Sequence, residues 1–391
     1  MRAFETEPGA AQSATRPPRL VWFNLAGVIT GLLLIESLAL FHIVDYRESS
    51  WFSDTGFDPE LKAVRRPYTR EAGSAVGGDF AEAYKIPASD RSKYEWDLKF
   101  DHNGFRNGTD LKQADIVVLG SSFIEGTTIP DSGLITSVLA RRTHRVVENL
   151  AHSAYGPQQD LVALKRYGLP LHPRVVISTF TEFIEPQQEG AYRSETRYGK
   201  TFWSSFLDRS FTRSFYRKVR TYFKGVSNQA RQAFEPENAQ AIKRSGVVRD
   251  AQGNPRRIYF LHPALPLSRD DLGALNRTVD IIAAGQKLAA AQGARLVVVF
   301  IPDQFRVFHS FAQIAPGCEC RQWVVNEEPQ LLESALKSKS PDIGFLDLTP
   351  VMTDAVKSGI IPHYSDDNHW SPAGHRLAAE AIAAYLARQA W

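Results

Sequence analysis

The chain has 391 residues and nearly balanced charge, with 46 Lys and Arg against 43 Asp and Glu. This length allows one large domain with appendages, or two domains. The small positive balance excludes nucleic acid as an expected partner, and a hydrophobic content of 43% is enough for a core of ordinary size.

An apolar run near the N-terminus predicts a membrane-spanning helix. Residues 20–44 are long enough to cross a hydrocarbon core of roughly 30 Å. Glu36 interrupts the run at a cost of about 3 kcal/mol, which the surrounding apolar side chains should outweigh. Because Arg16 and Arg19 precede the run, residues 1–19 are predicted to be a cytoplasmic tail and the later part to lie outside the inner membrane. The alternative is a buried helix of a soluble domain.

The next segment, residues 45–98, carries Gly, Pro and charged residues without clear periodicity. It is predicted to be a stalk or a loosely packed approach to the main domain. That domain is predicted to span residues 99–391. It opens with Phe100-Asp-His-Asn-Gly-Phe-Arg106, which by itself is an Asn-Gly turn.

A short buried strand followed by two serines is the strongest local signal in the chain. Ile116 to Leu119 form the apolar run, and Gly120 then allows a sharp turn before Ser121 and Ser122. A serine at such a strand-to-helix turn lies beside backbone N–H groups, which stabilise negative charge as it develops on a reacting oxygen. Ile124 stands where a nucleophile elbow of the α/β-hydrolase type has its second glycine, so this turn is of another kind.

Strands and helices are predicted to alternate along the remainder of the chain, except between residues 186 and about 270. In that stretch aromatic residues recur at helical spacing among arginines and lysines. Such an insertion could lie on a membrane, line a groove for an anionic glycan, or pack as a cap helix. A helix at residues 272–291, with Ser268 as its N-cap, and an apolar strand at residues 296–301 follow. The alternation predicts an α/β fold with a parallel sheet covered on both faces.

Near the C-terminus, Asp366 and His369 stand three residues apart in Tyr364-Ser-Asp-Asp-Asn-His-Trp370. At this spacing a carboxylate can hold an imidazole in the tautomer that accepts a proton from serine. Asp367 is the rival of Asp366. A metal site is the alternative use of the histidines and carboxylates in this block, formed by His363, Asp367, His369 and His375.

The serine block and the histidine block together resemble those of the SGNH (GDSL-type) hydrolases and acyltransferases. Gly120-Ser-Ser-Phe-Ile-Glu-Gly126 corresponds to the family's Gly-Asp-Ser-x-x-x-Gly block, with Ser121 in place of aspartate. The segment at residues 100–106 resembles the entry to the first strand in SGNH proteins of bacterial envelopes, and the segment at residues 302–308 resembles a loop of polysaccharide O-acetylation proteins of the alginate type. The resemblance implies a three-layer SGNH-type α/β fold.

The resemblance also implies site residues. Ser122 becomes the nucleophile, with Ser121 as its rival, and Asp366 and His369 complete a catalytic triad. The family's second block corresponds to Asn149-Leu-Ala-His-Ser-Ala-Tyr-Gly-Pro-Gln-Gln159, so the oxyanion hole would use the N–H groups of Ser122 and Ala154, with Gly156 as the alternative. Where the family has an asparagine after its third strand, this chain offers Glu182, Phe183 or the Thr181 hydroxyl.

The implied activity is serine-dependent transfer of an acyl group, expected to be acetyl, to hydroxyls of an envelope or exported polysaccharide. A carbohydrate or lipid esterase is the first alternative, and a non-catalytic glycan-binding protein on the same scaffold is the second. The mechanism requires no cofactor and no metal. A multi-spanning membrane protein that delivers acetyl groups is the expected partner, with Glu36 as a contact. Cys318 and Cys320 are predicted to be free thiols or a strained local bridge.

Overall fold

The computed structural model describes residues 19–41, 43–44, 55–56, 58–153, 155–197, 210–216, 218–220 and 244–391. The predicted oxyanion residue Ala154, most of the tail at residues 1–19 and most of the aromatic insertion lie outside the described residues.

A five-stranded parallel sheet forms the centre of the molecule. The order of its strands is β12-β10-β7-β5-β6. β7 in the middle is buried along its whole length, as expected for a parallel sheet covered on both faces. The strands are β5 (Ile116–Leu119), β6 (Val147–Asn149), β7 (Val175–Thr181), β10 (Arg295–Ile301) and β12 (Gly344–Asp347).

Successive residues of the central strands enter two different hydrophobic clusters. Ile116 and Val118 belong to one cluster, whereas Val117 and Leu119 belong to the other. This follows from the two-residue period of a strand, which sends neighbouring side chains to opposite faces of the sheet. Helices cover both faces, so the predicted three-layer α/β fold is confirmed. They are α3 (Ser122–Glu125), α4 (Ile135–Thr143), α5 (Pro157–Ala163), α6 (Ile184–Arg197), α7 (Arg269–Ala290), α8 (Gln304–Phe308), α9 (Glu328–Lys339), α10 (Thr349–Lys357) and α11 (Pro372–Arg388).

One N-terminal helix, α1 (Arg19–Leu40), is long and apolar enough to cross a membrane from Trp22 to Leu40. Its apolar side chains are largely exposed, with 63% of Leu33 accessible. Glu36 is not isolated: its carboxylate accepts hydrogen bonds of 2.9 Å from both the backbone N–H and the hydroxyl of Thr212. Residues 211–216 and 218–220, the described part of the aromatic insertion, are helical.

The segment predicted to be a stalk is instead part of the folded domain over residues 58–98. Leu61, Phe80 and Ile86 are almost completely buried, and Leu61 joins one of the two clusters at the central sheet. The segment holds β1 (Thr55–Gly56), β2 (Val64–Arg65), β3 (Arg70–Val76), α2 (Asp79–Ala83) and β4 (Lys93–Lys99). The absence of periodicity in the sequence reflects its short and little-buried elements: β3 has no buried side chain, and β4 buries only Tyr94 and Leu98.

A second antiparallel unit follows the aromatic insertion. It consists of β8 (Ser245–Arg249), β9 (Pro255–Tyr259) and β11 (Gln313–Ile314), in the order β11-β8-β9. Ser268 caps α7 as predicted, because its hydroxyl accepts the N–H of Asp271 and the Asp271 carboxylate accepts the N–H of Ser268. Cys318 and Cys320 are buried and joined by a disulfide, with their Cα atoms 5.2 Å apart.

Candidate active site

The turn after β5 carries Ser122 at the first position of α3. Gly120 lies in the left-handed region at φ 152°, where an added methyl group would collide with the Thr179 hydroxyl. Glycine is therefore required at this position. Ser121 is the N-cap residue, and its buried hydroxyl has no hydrogen-bond partner among the described residues. The turn thus separates the two serines, and only Ser122 bonds the imidazole of His369.

Two hydrogen bonds link Ser122 to a carboxylate through His369. The His369 Nε2 atom lies 2.8 Å from the Ser122 Oγ atom, and its Nδ1 atom lies 2.6 Å from Asp367 Oδ1. Asp367 Oδ1 also accepts the backbone N–H of His369 at 2.9 Å, which fixes the short loop between them. This geometry places Nε2 to accept the hydroxyl proton while Nδ1 donates to the carboxylate.

The prediction that Asp366 orients His369 is wrong, because its carboxylate bonds a different part of the chain. Asp366 Oδ2 accepts the backbone N–H groups of Gly78 and Ser92 at 2.9 and 3.1 Å, and Oδ1 accepts the Tyr94 hydroxyl at 3.0 Å. Asp366 therefore joins the loop of His369 to the β3–β4 hairpin. Asp367, the sequence's alternative, contacts the imidazole.

Charge and burial act in opposite directions on the imidazole. Burial by itself would lower the pKa of His369, but the hydrogen bond and charge of Asp367 outweigh it and raise this pKa above its ordinary value. Burial likewise would raise the pKa of Asp367, yet the bond to His369 leaves it below its ordinary value. The carboxylate therefore stays ionised and makes the imidazole more basic, which favours transfer of the serine proton to it.

The loop of His369 is also held from its inner side. The Gln304 side chain donates to the carbonyl oxygens of Asp367 and Tyr364 at 2.7 and 3.0 Å. Trp370 is fully buried, and its ring meets Phe123 edge to face at a centroid distance of 5.3 Å. Because Phe123 follows Ser122 directly, this contact packs the serine helix against the histidine loop. The sequence gave Gln304 no role of its own, although it lies in the segment at residues 302–308 that the resemblance had singled out.

The Ser122 backbone N–H is the available oxyanion donor at the start of the serine helix. Ser122, as the first residue of α3, has a backbone N–H without an intrahelical acceptor. The alternative donor Gly156 is excluded, since its N–H is bonded to the Gln159 side chain at 3.1 Å as the cap of α5. The N–H of Ser153 is also occupied, by Glu125 at 2.6 Å.

Glu182 does not replace the family's asparagine as a hydrogen-bond donor. Its buried carboxylate forms a two-point ion pair with Arg306, at 2.8 and 2.6 Å, and accepts the N–H of Asp303 at 2.9 Å. Of the other two residues proposed for this position, Phe183 adopts a left-handed backbone at φ 65° and the Thr181 hydroxyl is buried without a partner among the described residues. The end of β7 is therefore braced by an ion pair.

Arg106 is a supporting residue whose role the sequence did not reveal. Its buried guanidinium donates to the carbonyl oxygens of Glu125, Gly126 and Ile129 and pairs with Asp131. It thus holds the loop that leaves the serine helix. The available signal was the Asn-Gly-Phe-Arg turn, which the resemblance had already singled out.

Among the described residues, one group of side chains has the spacing of a metal site. Ligand atoms of Asp79, Asp367 and His369 lie within 4.8 Å of one another. Two of these atoms already share the 2.6 Å hydrogen bond, so a metal would have to displace the bond that orients the imidazole. His363 and His375 are buried instead, and burial lowers the pKa of each to about 3. They are neutral core residues, outside this group.

The fold and site define an α/β protein in which a serine after β5 is hydrogen-bonded to a histidine, and the histidine to an aspartate, in the loop before α11. Residues 252–391 match the ALGX family model, described as the SGNH hydrolase-like domain of the acetyltransferase AlgX. Over these 140 of its 391 residues, the chain is similar to the SGNH hydrolase-like domain of AlgX. No curated protein sequence matches it.

Solved structures with a weak structural similarity to this chain include an acetyl xylan esterase and a GDSL-like lipase. Est2A, an acetyl xylan esterase from the rumen bacterium Butyrivibrio proteoclasticus, is 8% identical over 77% of this chain and 70% of its own, with a TM-score of 0.34. A GDSL-like lipase from Bacteroides thetaiotaomicron VPI-5482 is 12% identical over 70% of this chain and 88% of its own, with a TM-score of 0.33. Similarity this low conveys nothing about substrate.

Proposed function

We propose that the protein transfers an acyl group, acetyl in the simplest case, to hydroxyls of an envelope or exported polysaccharide through an acyl-Ser122 intermediate. The observation that carries this proposal is the pair of hydrogen bonds from Ser122 to His369 and from His369 to Asp367. A serine hydroxyl is a weak nucleophile by itself, and this arrangement activates it.

In the first half of the reaction, Ser122 Oγ attacks the carbonyl carbon of the acyl donor while its proton moves to His369 Nε2. The carbonyl oxygen becomes an oxyanion, which the N–H of Ser122 would stabilise, with Ala154 as the proposed second donor. When the tetrahedral intermediate collapses, the donor's leaving oxygen takes the proton from His369 and departs. Asp367 keeps the imidazolium oriented throughout.

In the second half, a sugar hydroxyl attacks the acyl-serine and gives its proton to His369. Collapse of this intermediate breaks the bond to Ser122 Oγ, which recovers the proton. Water in place of the sugar would make the same protein an esterase. The choice between transfer and hydrolysis therefore depends on which hydroxyl occupies the acceptor position.

We propose a position at the inner membrane, with the catalytic domain on the periplasmic side. The apolar helix α1 supports an anchor over residues 20–44, and a disulfide at Cys318 and Cys320 suits an oxidising compartment. The proposed partner is a multi-spanning membrane protein that delivers the acyl donor. Glu36, whose Oε2 atom accepts two hydrogen bonds from Thr212, is the proposed contact for this partner.

The test is acetyl release from 4-nitrophenyl acetate by the full chain in detergent, together with intact-mass detection of the acetylated protein. Ser122→Ala should lower the rate by at least about 10³-fold and abolish the acetylated form. Ser121→Ala is the matched control, because its hydroxyl bonds nothing described, and it should retain the rate within a few-fold. Equal rates in the wild type and Ser122→Ala would favour a non-catalytic glycan-binding protein.

Transfer and hydrolysis are separated by adding an oligosaccharide to the same assay. Faster 4-nitrophenol release together with an acetylated sugar product supports transfer. Release of acetate alone, at an unchanged rate, supports an esterase.

A further inference from the structure

A cleft of about 370 Å³ lies beside the proposed triad, between the β3–β4 hairpin and the loop that follows the serine helix. Thr127 and Thr128 line it on the side of the serine helix, and Asp367 lines it where the cleft meets the site. Its volume is in the range typical of small-ligand sites. A molecule in this cleft would therefore sit next to the carboxylate that orients His369.

One complete face of the hairpin forms a wall of the cleft. Its strands pair so that Glu71 opposes Leu98, Gly73 opposes Trp96 and Ala75 opposes Tyr94. Because alternate residues of a strand share a face, these three pairs stand side by side. All of them except Gly73 line the cleft. The other face carries alternate residues such as Lys93, Glu95 and Asp97.

Gly73 shapes this wall by leaving room for an indole ring. A methyl group added at Gly73 would lie only 2.6 Å from Trp96 Cζ2. The ring therefore lies across the glycine, and Trp96 remains partly exposed. A flat, rigid aromatic surface of this kind packs against the C–H face of a sugar ring with little loss of conformational entropy.

The hairpin is joined rigidly to the catalytic loop. Asp366 accepts hydrogen bonds from Gly78, Ser92 and Tyr94. A methyl group at Gly78 would lie 2.6 Å from the Cβ atom of Asp367. The wall of the cleft is therefore held in register with the site, as an acceptor-binding surface requires.

The charges of the cleft are predominantly negative. Glu71, Asp79 and Asp367 contribute carboxylates, and Asp79 Oδ2 lies 3.9 Å from His369 Nδ1. The Arg65 guanidinium is the cation of the lining, and its Nε atom is bonded to the buried Glu125 at 2.9 Å. A polymer with a carboxylate on each sugar would bring like charges together here, whereas an uncharged sugar would donate its hydroxyls to the same oxygens.

We infer that this cleft, which borders the triad at Asp367, binds part of the acceptor glycan, and that Glu71 and Asp79 select uncharged glycans over polyuronates. Trp96 supplies the surface on which a sugar ring rests. The inference rests on the proposed function, since the cleft becomes an acceptor site only if Ser122 carries the acyl group.

The test measures binding without turnover, using the full-length Ser122→Ala protein in detergent at low salt. Calorimetric titration with cellotetraose and with tetramannuronate gives the ratio of the two affinities. We expect cellotetraose to bind at least about tenfold more tightly, an energy difference of about 1.4 kcal/mol. Equal binding, or tighter binding of the uronate, would overturn the inference.

Two further variants of the Ser122→Ala protein test whether Glu71 and Asp79 cause the selectivity for uncharged glycans. The combined change Glu71→Gln and Asp79→Asn should bring the two affinities to within about threefold, because it removes two of the three carboxylates that line the cleft. Glu95→Gln, on the other face of the hairpin, is the matched control and should leave the ratio unchanged. An unchanged ratio in the double variant would show that these carboxylates do not select the glycan.

Trp96 is tested by the same titration. Trp96→Ala should weaken the binding of cellotetraose by about tenfold. Trp96→Phe should weaken it by less, because phenylalanine keeps an aromatic face. Loss of binding in both variants with an unchanged melting temperature supports direct contact, whereas no change in either refutes it. Failure of these titrations would leave acylation of Ser122 in the wild type unaffected, so the proposed function is judged separately.

Discussion

Asp366 and Asp367 are consecutive residues whose carboxylates serve different parts of the molecule. Asp367 Oδ1 lies 2.6 Å from the His369 ring, while Asp366 binds the backbone at Gly78 and Ser92. The Asp367 Oδ2 atom in turn accepts the N–H of Asp79 at 3.3 Å. The loop thus presents one carboxylate to the imidazole and the other to the hairpin, and exchanging their roles would require a different backbone path.

This division predicts opposite phenotypes for two similar variants. Asp367→Asn should lower kcat by about 10³- to 10⁴-fold with little change in melting temperature, because an amide cannot stabilise the imidazolium or fix its tautomer. Asp366→Asn should instead destabilise the fold by about 1–3 kcal/mol for each donor left unpaired. Paired measurements of kcat and of thermal unfolding check both. A larger kcat loss in Asp366→Asn would reverse the assignment.

The pH dependence of acyl release should report His369. Only the neutral imidazole accepts the serine proton, so activity should rise with pH and level off above the pKa of His369. Because Asp367 raises this pKa, the midpoint should lie above the ordinary histidine value of about 6.5. In Asp367→Asn burial dominates, and the midpoint should move to lower pH.

Asp79→Asn should have a smaller effect on the pH profile of acyl release than Asp367→Asn. The charge of Asp79 also raises the pKa of His369, though less than that of Asp367. Its removal should move the midpoint in the same direction by a smaller amount. A wild-type midpoint below the ordinary histidine value would contradict the role assigned to the carboxylate.

Gly120 is predicted to be irreplaceable at the turn before the serines. Gly120→Ala forces a methyl group against Thr179 and a left-handed backbone on alanine. The strain should cost about 1–3 kcal/mol of unfolding free energy, and activity should fall as Ser122 shifts. Gly108→Ala is the control, because nothing lies within 4 Å of its added methyl group. Denaturant unfolding of both variants measures the difference.

The buried ion pair between Glu182 and Arg306 makes a prediction about stability. Arg306→Met should destabilise the protein by about 3–5 kcal/mol, because it leaves a buried carboxylate without its partner. Combining it with Glu182→Met should recover part of this loss, but not all, since the N–H of Asp303 loses its acceptor. If the double variant is no more stable than Arg306→Met, the loss of stability does not come from the unpaired Glu182 carboxylate.

Local sequence patterns were sufficient to predict features that lie within a single strand, turn or helix. The apolar run at residues 116–119 predicted a buried strand because a parallel strand covered on both faces has no polar side. Gly120 predicted the turn that exposes Ser122, and the capping box at Ser268 predicted the start of α7. The resemblance of the two motifs to the SGNH blocks implied that Ser122 and His369 would meet, and their side chains lie within hydrogen-bonding distance.

Patterns were insufficient where a contact joins distant parts of the chain. Residues 58–98 gave no periodic signal, since their short elements are stabilised by bonds to Asp366 and by packing on the domain rather than by an amphipathic repeat. Glu182 follows β7 and forms an ion pair with Arg306, which follows β10. The N–H of Gly156 is hydrogen-bonded to the Gln159 side chain at the start of α5. None of these partners is close enough in sequence for spacing to reveal it.

The sequence by itself determined the class of fold and the two segments that build the site, because strand burial, turn chemistry and the chemistry of serine and histidine are properties of short stretches. Only the tertiary structure decided which aspartate faces the imidazole and which cleft borders that aspartate. The direction of a side chain on a loop is set by the donors around it, and those donors come from the hairpin at residues 70–99.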